Sequence, residues 1–217
     1  MEIHVLATID NKFKNLIQSG NYEKVILTLL NKSTKLFPNQ YEHVISQANG
    51  ECDFIDKKTN EKYDAKLPLS PQQGKLIGSN EADFEKWIKS MIDEMSEFEE
   101  KIIRHRSSHK VEELKLYQIM KKRIEKDNFD ENIIFFFPFP IVHEESRCIF
   151  GQFASDVLSN IYDALNKNKI IGSKKIYALY PTLDNKIAIR LLNSGVREWF
   201  PSSVLDEFIK YDTKFIK

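Results

Sequence analysis

ECDFIDKKTNEKYDAK, residues 51–66, reads as two short strand-like runs joined by a polar loop. Lys57, Lys58, Thr59 and Asn60 form the loop, and Asn60 suits the left-handed backbone that such loops need. If Asp56 and Glu61 are the last paired residues, an antiparallel register follows. Ile55 then meets Lys62, Phe54 meets Tyr63, and Asp53 lies directly opposite Asp64. Strand alternation gathers Glu51, Asp53, Asp64 and Lys66 on one face and Cys52, Phe54, Tyr63 and Ala65 on the other, apolar one.

Two like charges facing each other across a ladder cost about 0.2–1 kcal/mol. A strand pair with no other duty gains by avoiding Asp53 against Asp64, and a cation between them removes the conflict. Carboxylate oxygens completed by water and phosphate oxygens suit Mg²⁺ or Mn²⁺. Lys66, two residues after Asp64, reaches the same place. Acid-X-Lys triplets are common in this charged chain, recurring at Asp10–Lys12, Asp56–Lys58, Glu113–Lys115, Asp184–Lys186 and Asp212–Lys214. Asp64-Ala65-Lys66 stands apart by its apolar middle residue, its strand setting and its opposed Asp53. Glu51 has an alternative role, a cross-strand ion pair with Lys66.

Outward from the hairpin, Val25, Ile26, Leu29, Leu30 and Leu36 recur at three- and four-residue steps, which predicts an amphipathic helix over 21–36. Pro38 interrupts it. Tyr41, Val44 and Ile45 then suggest a second short helix over 40–47, with Glu42 on it. After the hairpin, 81–126 is poor in breakers and reads as two long helices with a polar joint near Arg106–His109, where Ser108 is a candidate cap. Asn132–Phe137 is a continuous apolar run, expected as a central strand buried on both faces. A helix over 153–165 follows. Lys175–Tyr180 and Lys186–Leu192 form a second hairpin, and a short C-terminal helix is expected from Ser203.

Cys52-Asp53 followed by Asp64-Ala65-Lys66, with the acid Glu42 upstream, resembles the signature of the PD-(D/E)XK nuclease superfamily. The resemblance covers residues 39–66 and, beyond them, the order of elements. It implies an α/β, restriction-endonuclease-like three-layer fold, with a central mixed β-sheet flanked by helices. The chain would then be one domain over 1–217, with its core at about 21–80 and 129–200 and a long helical insertion at about 81–128 after the catalytic hairpin. It further implies that Asp53 and Asp64 bind Mg²⁺ or Mn²⁺, that Glu42 assists at the metal, and that Lys66 positions or activates the attacking water. Cys52 stands where the family usually has proline. A glutamine after the lysine strand is frequent in related families, and Gln72 and Gln73 are the candidates.

The totals leave this reading standing. The chain has 217 residues, ordinary apolar content and no net charge, so any hold on nucleic acid must come from a local patch. Lys101, Arg104, Arg106, Lys110, Lys121, Lys122, Arg123 and Lys126 are one such candidate, although Glu112, Glu113 and Glu125 among them fit a solvated face equally. His4, His43, His105, His109 and His143 show no zinc spacing, Cys52 and Cys148 form no disulfide framework, and no Gly-rich phosphate loop occurs. The N-terminus lacks the features of a signal peptide, and the apolar run 133–142 is too short to span a bilayer, so a cytoplasmic setting is expected. The expected function is a divalent-metal-dependent nuclease acting on DNA. The alternative is a non-catalytic binding or scaffolding protein that keeps the fold. The sequence leaves open whether RNA is the substrate and whether a homodimer forms.

Overall fold

The computed structural model describes residues 5–9, 22–44, 52–68, 111–113, 115–126, 132–137, 152–181, 186–205 and 211–215. In chain order the elements are β1 (Val5–Ile9), α1 (Tyr22–Lys32), β2 (Tyr41–His43), β3 (Phe54–Asp56), β4 (Lys62–Lys66), α2 (Lys115–Lys126), β5 (Asn132–Phe136), α3 (Gln152–Lys167), β6 (Ile176–Pro181), β7 (Lys186–Leu191), β8 (Arg197–Pro201) and β9 (Tyr211–Phe215). Single 3₁₀ turns occur at Val111–Glu113 and Ser202–Leu205.

Strands β2 to β8 form one seven-stranded mixed sheet in sequence order. β4, β5 and β6 run parallel, and the remaining neighbours are antiparallel. β5, at the centre, is buried at every position. Its Ile and Phe side chains fit a pleated surface covered on both sides, the usual setting of parallel strands. Helices do cover both sides. Tyr22 of α1 stacks on Phe136, with ring centroids 6.5 Å apart. Ser159 of α3 instead accepts a hydrogen bond from Arg190, whose register neighbours are Ala178 and then Phe135. Phe135 and Phe136 are adjacent in a strand and so point to opposite faces. The chain is therefore an α/β protein with a mixed sheet flanked by helices.

α1 is held by burial. Val25, Ile26, Leu29 and Leu30 are fully buried, each contributing about 1.5–3 kcal/mol relative to an exposed position. The helix ends earlier than the apolar pattern predicts, because the chain turns at Ser33 and Glu198 of β8 captures the turn. Its carboxylate accepts the Ser33 hydroxyl at 2.5 Å and the backbone N–H groups of Thr34, Lys35 and Leu36 at 3.0–3.3 Å. Burial opposes ionisation of Glu198, but these donors outweigh it and hold the carboxyl below its usual range.

Two further expectations are corrected. Residues 41–43 are a strand, not part of a helix over 40–47. Tyr41 is buried against Phe37 and Tyr63 while Glu42 is exposed, a period of two that a hydrophobic count at helical spacing mistakes. The Asn31 side chain bonds both the N–H and the C=O of Tyr41, covering the edge that this strand presents. At the other end, Ser202–Leu205 is a single turn, and Tyr211–Phe215 is a strand paired antiparallel with β1 in a separate two-stranded sheet. β8 is an unforeseen edge strand, where Pro201 is tolerated at its end. Of the two helices expected over 81–126, the described residues show α2 and the 3₁₀ turn before it; 81–110, the Ser108 cap, Glu51, Gln72, Gln73 and the basic residues Lys101, Arg104, Arg106 and Lys110 lie outside the described residues.

Replacing Glu198 by Ala removes the only acceptor named above for several turn N–H groups. The midpoint of urea unfolding is expected to fall, with a loss of about 1–3 kcal/mol; an unchanged midpoint would show that water replaces the carboxylate at no cost.

Candidate functional site

The hairpin loop is built by Asp56. Its carboxylate accepts the N–H of Lys58 at 2.8 Å, the N–H of Thr59 at 3.2 Å and the Asn39 side-chain amide at 2.7 Å. Burial works against ionisation there, yet these donors keep the carboxyl below its usual range. Asn60 adopts φ 60°, the left-handed conformation that asparagine tolerates better than most residues. The register is fixed as the sequence indicates: Ile55 pairs with Lys62 and Phe54 with Tyr63.

Beyond Phe54 the ladder changes character. The backbone bends at Asp53, whose N–H bonds the Tyr63 carbonyl at 3.0 Å. Asp53 then offers its side chain where a strand would offer backbone, its Oδ2 accepting the Ala65 N–H at 2.6 Å. This ties the Asp53 carboxyl to β4 immediately beside Asp64, and the two carboxyls lie within hydrogen-bonding reach of each other. Both residues are buried, each about 7% exposed. Lys66 forms an ion pair with Asp64 through Nζ and Oδ2.

Parallel pairing places Asp64 beside Ile133 and Lys66 beside Phe135. Lys66 is thus the last residue of β4, whereas Asp64 is its middle residue and lies beside the second residue of β5. Burial is the main cause that raises the Asp64 carboxyl, to about 6, with the Asp53 hydrogen bond adding to it and Lys66 opposing it. Burial also raises Asp53, against the donors around it. The pair holds one proton more readily than two separate aspartates would.

One residue without a sequence signature is felt at this pair. Glu23, in the first turn of α1, adds negative potential at Asp53. Its Oε2 lies 2.6 Å from His43 Nε2, and the His43 ring packs against Phe54 with centroids 5.8 Å apart. Glu23 and His43 are twenty residues apart and unremarkable individually, and the packing of α1 against β2 brings them together. Tyr22 is close enough to feel the charges of Asp53, Asp64 and Arg123; burial, first, and the acids raise its hydroxyl pKa.

Glu42 is elsewhere. It is opposite Ile55, more than half exposed, and forms an ion pair with Lys57 of the hairpin loop at 3.0 Å. Among the described residues no group of three or more His, Cys, Asp or Glu side chains is gathered so as to hold a metal ion. Two carboxylates remain, which suffices for Mg²⁺ when phosphate and water complete the shell. Buried, mutually repelling carboxyls also suit a cation chemically, since it would relieve both the repulsion and the burial cost. Comparisons with protein-family models, curated proteins and solved structures return no match.

A carboxyl whose pKa rises on folding stabilises the fold while protonated. That contribution is complete below the unfolded value of about 3.9 and is lost as pH climbs through the folded value, here about 6. Asp64→Asn cannot ionise and escapes this loss. With a chelator present, wild type is expected to lose on the order of 2–3 kcal/mol relative to Asp64→Asn as pH rises from about 4 to about 7.5. Urea unfolding across that range tests it, and stability curves that stay parallel would refute a raised Asp64.

Proposed function

We propose that this chain is a divalent-metal-dependent nuclease of the PD-(D/E)XK kind, hydrolysing phosphodiester bonds in DNA within the cytoplasm. The observation that carries the reading is the buried Asp53–Asp64 pair joined to Lys66 on β4. Asp53 and Asp64 would hold Mg²⁺ or Mn²⁺. The bound ion supplies charge stabilisation at the phosphate and makes water a better nucleophile near neutral pH.

The protein's own contribution is preorganisation. The Ala65 N–H fixes the Asp53 carboxylate, so its position does not depend on a flexible side chain. Lys66 is already at the pair, where it can orient the attacking water or balance negative charge that develops on the phosphate. Glu42 takes no part in this constellation because it points to the loop. Among the described residues no helix is long and apolar enough to cross a membrane.

The non-catalytic reading also has an observation in its favour. Lys66 already neutralises Asp64, so the pair is an intelligible buried ionic network without any metal. Calorimetry separates the two. The nuclease reading expects Mn²⁺ to bind wild type and to lose at least about 10-fold in affinity in Asp53→Asn, whereas a scaffold binds neither protein appreciably.

Cleavage of plasmid and oligonucleotide DNA with Mg²⁺ or Mn²⁺ is the direct assay. Asp64→Ala and Lys66→Ala are each expected to reduce the rate by about 100-fold or more. Equal rates in all three proteins would remove the assignment.

A further inference from the structure

Among the described residues Trp199, on edge strand β8, is the large hydrophobic side chain that stands in solvent, 46% exposed. Directly opposite it on β7 is Ala188, fully buried and too small to occupy the broad face of an indole. The Leu191 N–H bonds the Val196 carbonyl, so residues 196, 198 and 200 turn their backbone groups toward β7 while 197, 199 and 201 turn theirs to the outer edge. Pro201 has no N–H to offer there, which makes the edge a poor template for a further strand. Cross-strand packing and strand addition therefore both give a poor account of the exposed ring.

The charges around it are of one sign. Alternation puts Lys186, Ala188 and Arg190 of β7 on the same face as Arg197, Trp199 and Pro201 of β8. Lys186 and Arg190 are the diagonal neighbours of the indole, at roughly 7–8 Å, a distance that long side chains bridge. Arg197 is two residues away along its own strand. Lys186 is exposed and Arg197 partly so, whereas Arg190 is buried and donates to Ser159 of α3. The one acid on these two strands, Glu198, projects to the opposite face and is taken up by the turn after α1. β8 thus shows solvent an aromatic surface with a cation to either side.

A single strand of nucleic acid complements such an edge. Each unpaired nucleotide brings a flat π-face set between phosphates that attract cations. We propose that Trp199 stacks an unpaired base of single-stranded DNA while Lys186 and Arg197 draw the phosphates on either side of it. This contact is separate from the Asp53–Asp64–Lys66 cluster, since β8 lies four strand spacings from β4, about 19 Å. The stacking site stands whether or not that cluster cuts. Only the choice of DNA over RNA rests on the nuclease reading above.

The test is fluorescence anisotropy of the full chain with a labelled oligothymidylate of about 12 nucleotides, in the presence of a chelator so that nothing is cut. The comparison strand is abasic and of equal length, with the same phosphates and no bases. Wild type is expected to bind the thymidylate strand at least about 5-fold more tightly than the abasic one. Trp199→Ala should lose about 5- to 100-fold on the thymidylate strand and stay within about 2-fold of wild type on the abasic strand. Trp199→Leu, which keeps apolar bulk without a π-face, should lose as much and serves if Trp199→Ala does not fold. Trp199→Phe should stay within about 3-fold of wild type. Lys186→Gln should lower the slope of log affinity against log salt by about 0.7. Equal affinity of wild type for the two strands, or of wild type and Trp199→Leu for thymidylate, overturns the site. So does a wild-type dimer in sedimentation that Trp199→Ala disperses, which would give the edge to a second copy of the chain. Tighter binding of the matching uridylate strand overturns DNA as the occupant. The nuclease reading is tested apart from all of these, by cleavage with Mn²⁺.

Discussion

Asp64 has no choice about being buried. Its strand β4 lies between the hairpin partner β3 and β5, a strand without a single exposed position. A carboxyl there loses most of its water, which by itself favours the neutral acid. Asp53 makes the conflict sharper. The chain spends its side chain on the Ala65 N–H and thereby sets a second carboxyl against the first. Lys66 offsets part of the negative charge of these two groups, and a proton on the pair offsets it too, which is the sense in which burial raises both carboxyls.

Precise placement of the pair depends on α1 as much as on the hairpin. The helix is pinned at both ends by polar contacts reaching different strands of the sheet. Glu198 on β8 gathers the turn after its last residue, and Glu23 in its first turn meets His43 on β2. Between these ends its apolar stripe is fully buried. A helix fastened in this way cannot slide without breaking one of the two, so the distance from its first turn to Asp53 is set by contacts distributed across the sheet. The hairpin's far end is tied similarly, with Lys175 of the loop before β6 bonding Glu61 at 2.9 and 3.0 Å and Tyr63 donating to the same carboxylate.

Much of this was legible in the chain because the signals were local. The loop residues specify the register of Ile55 with Lys62 and Phe54 with Tyr63, although not the expected pairing of Asp53 with Asp64, because the chain bends at Asp53 and its side chain takes the Ala65 N–H; the apolar run specifies β5, and the spacing of Val25, Ile26, Leu29 and Leu30 specifies α1. What escaped depends on contacts distant in sequence. Val5–Ile9 and Tyr211–Phe215 pair across almost the whole chain, and neither carries a turn to announce its partner. Tyr41–His43 is too short for period two to be distinguished from a helical pattern, so Glu42 was given a position that its neighbour across the turn, Lys57, does not allow. Glu23 and His43 show the same limit. Each is an ordinary charged or polar residue until β2 is laid against β3 and α1 is laid beside both.

The ion pair between Lys66 and Asp64 bears on both readings of the site, and it need not be decisive against a metal. Lysine is a point charge on a flexible stem, and its strength as a partner for Asp64 depends on the absence of anything more negative nearby. A phosphate brings its own charge and several acceptor oxygens. On the proposed nuclease reading a phosphate beside Lys66 would offer the ammonium a second partner and leave Asp64 facing Asp53 with less compensation. A divalent ion would then suit the pair electrostatically, because the phosphate would supply ligands as well as the demand for charge. On that proposed reading the lysine would maintain the buried pair between encounters, and a ligand beyond the two aspartates would arrive with the substrate, since no group of three or more metal-ligating side chains is gathered among the described residues.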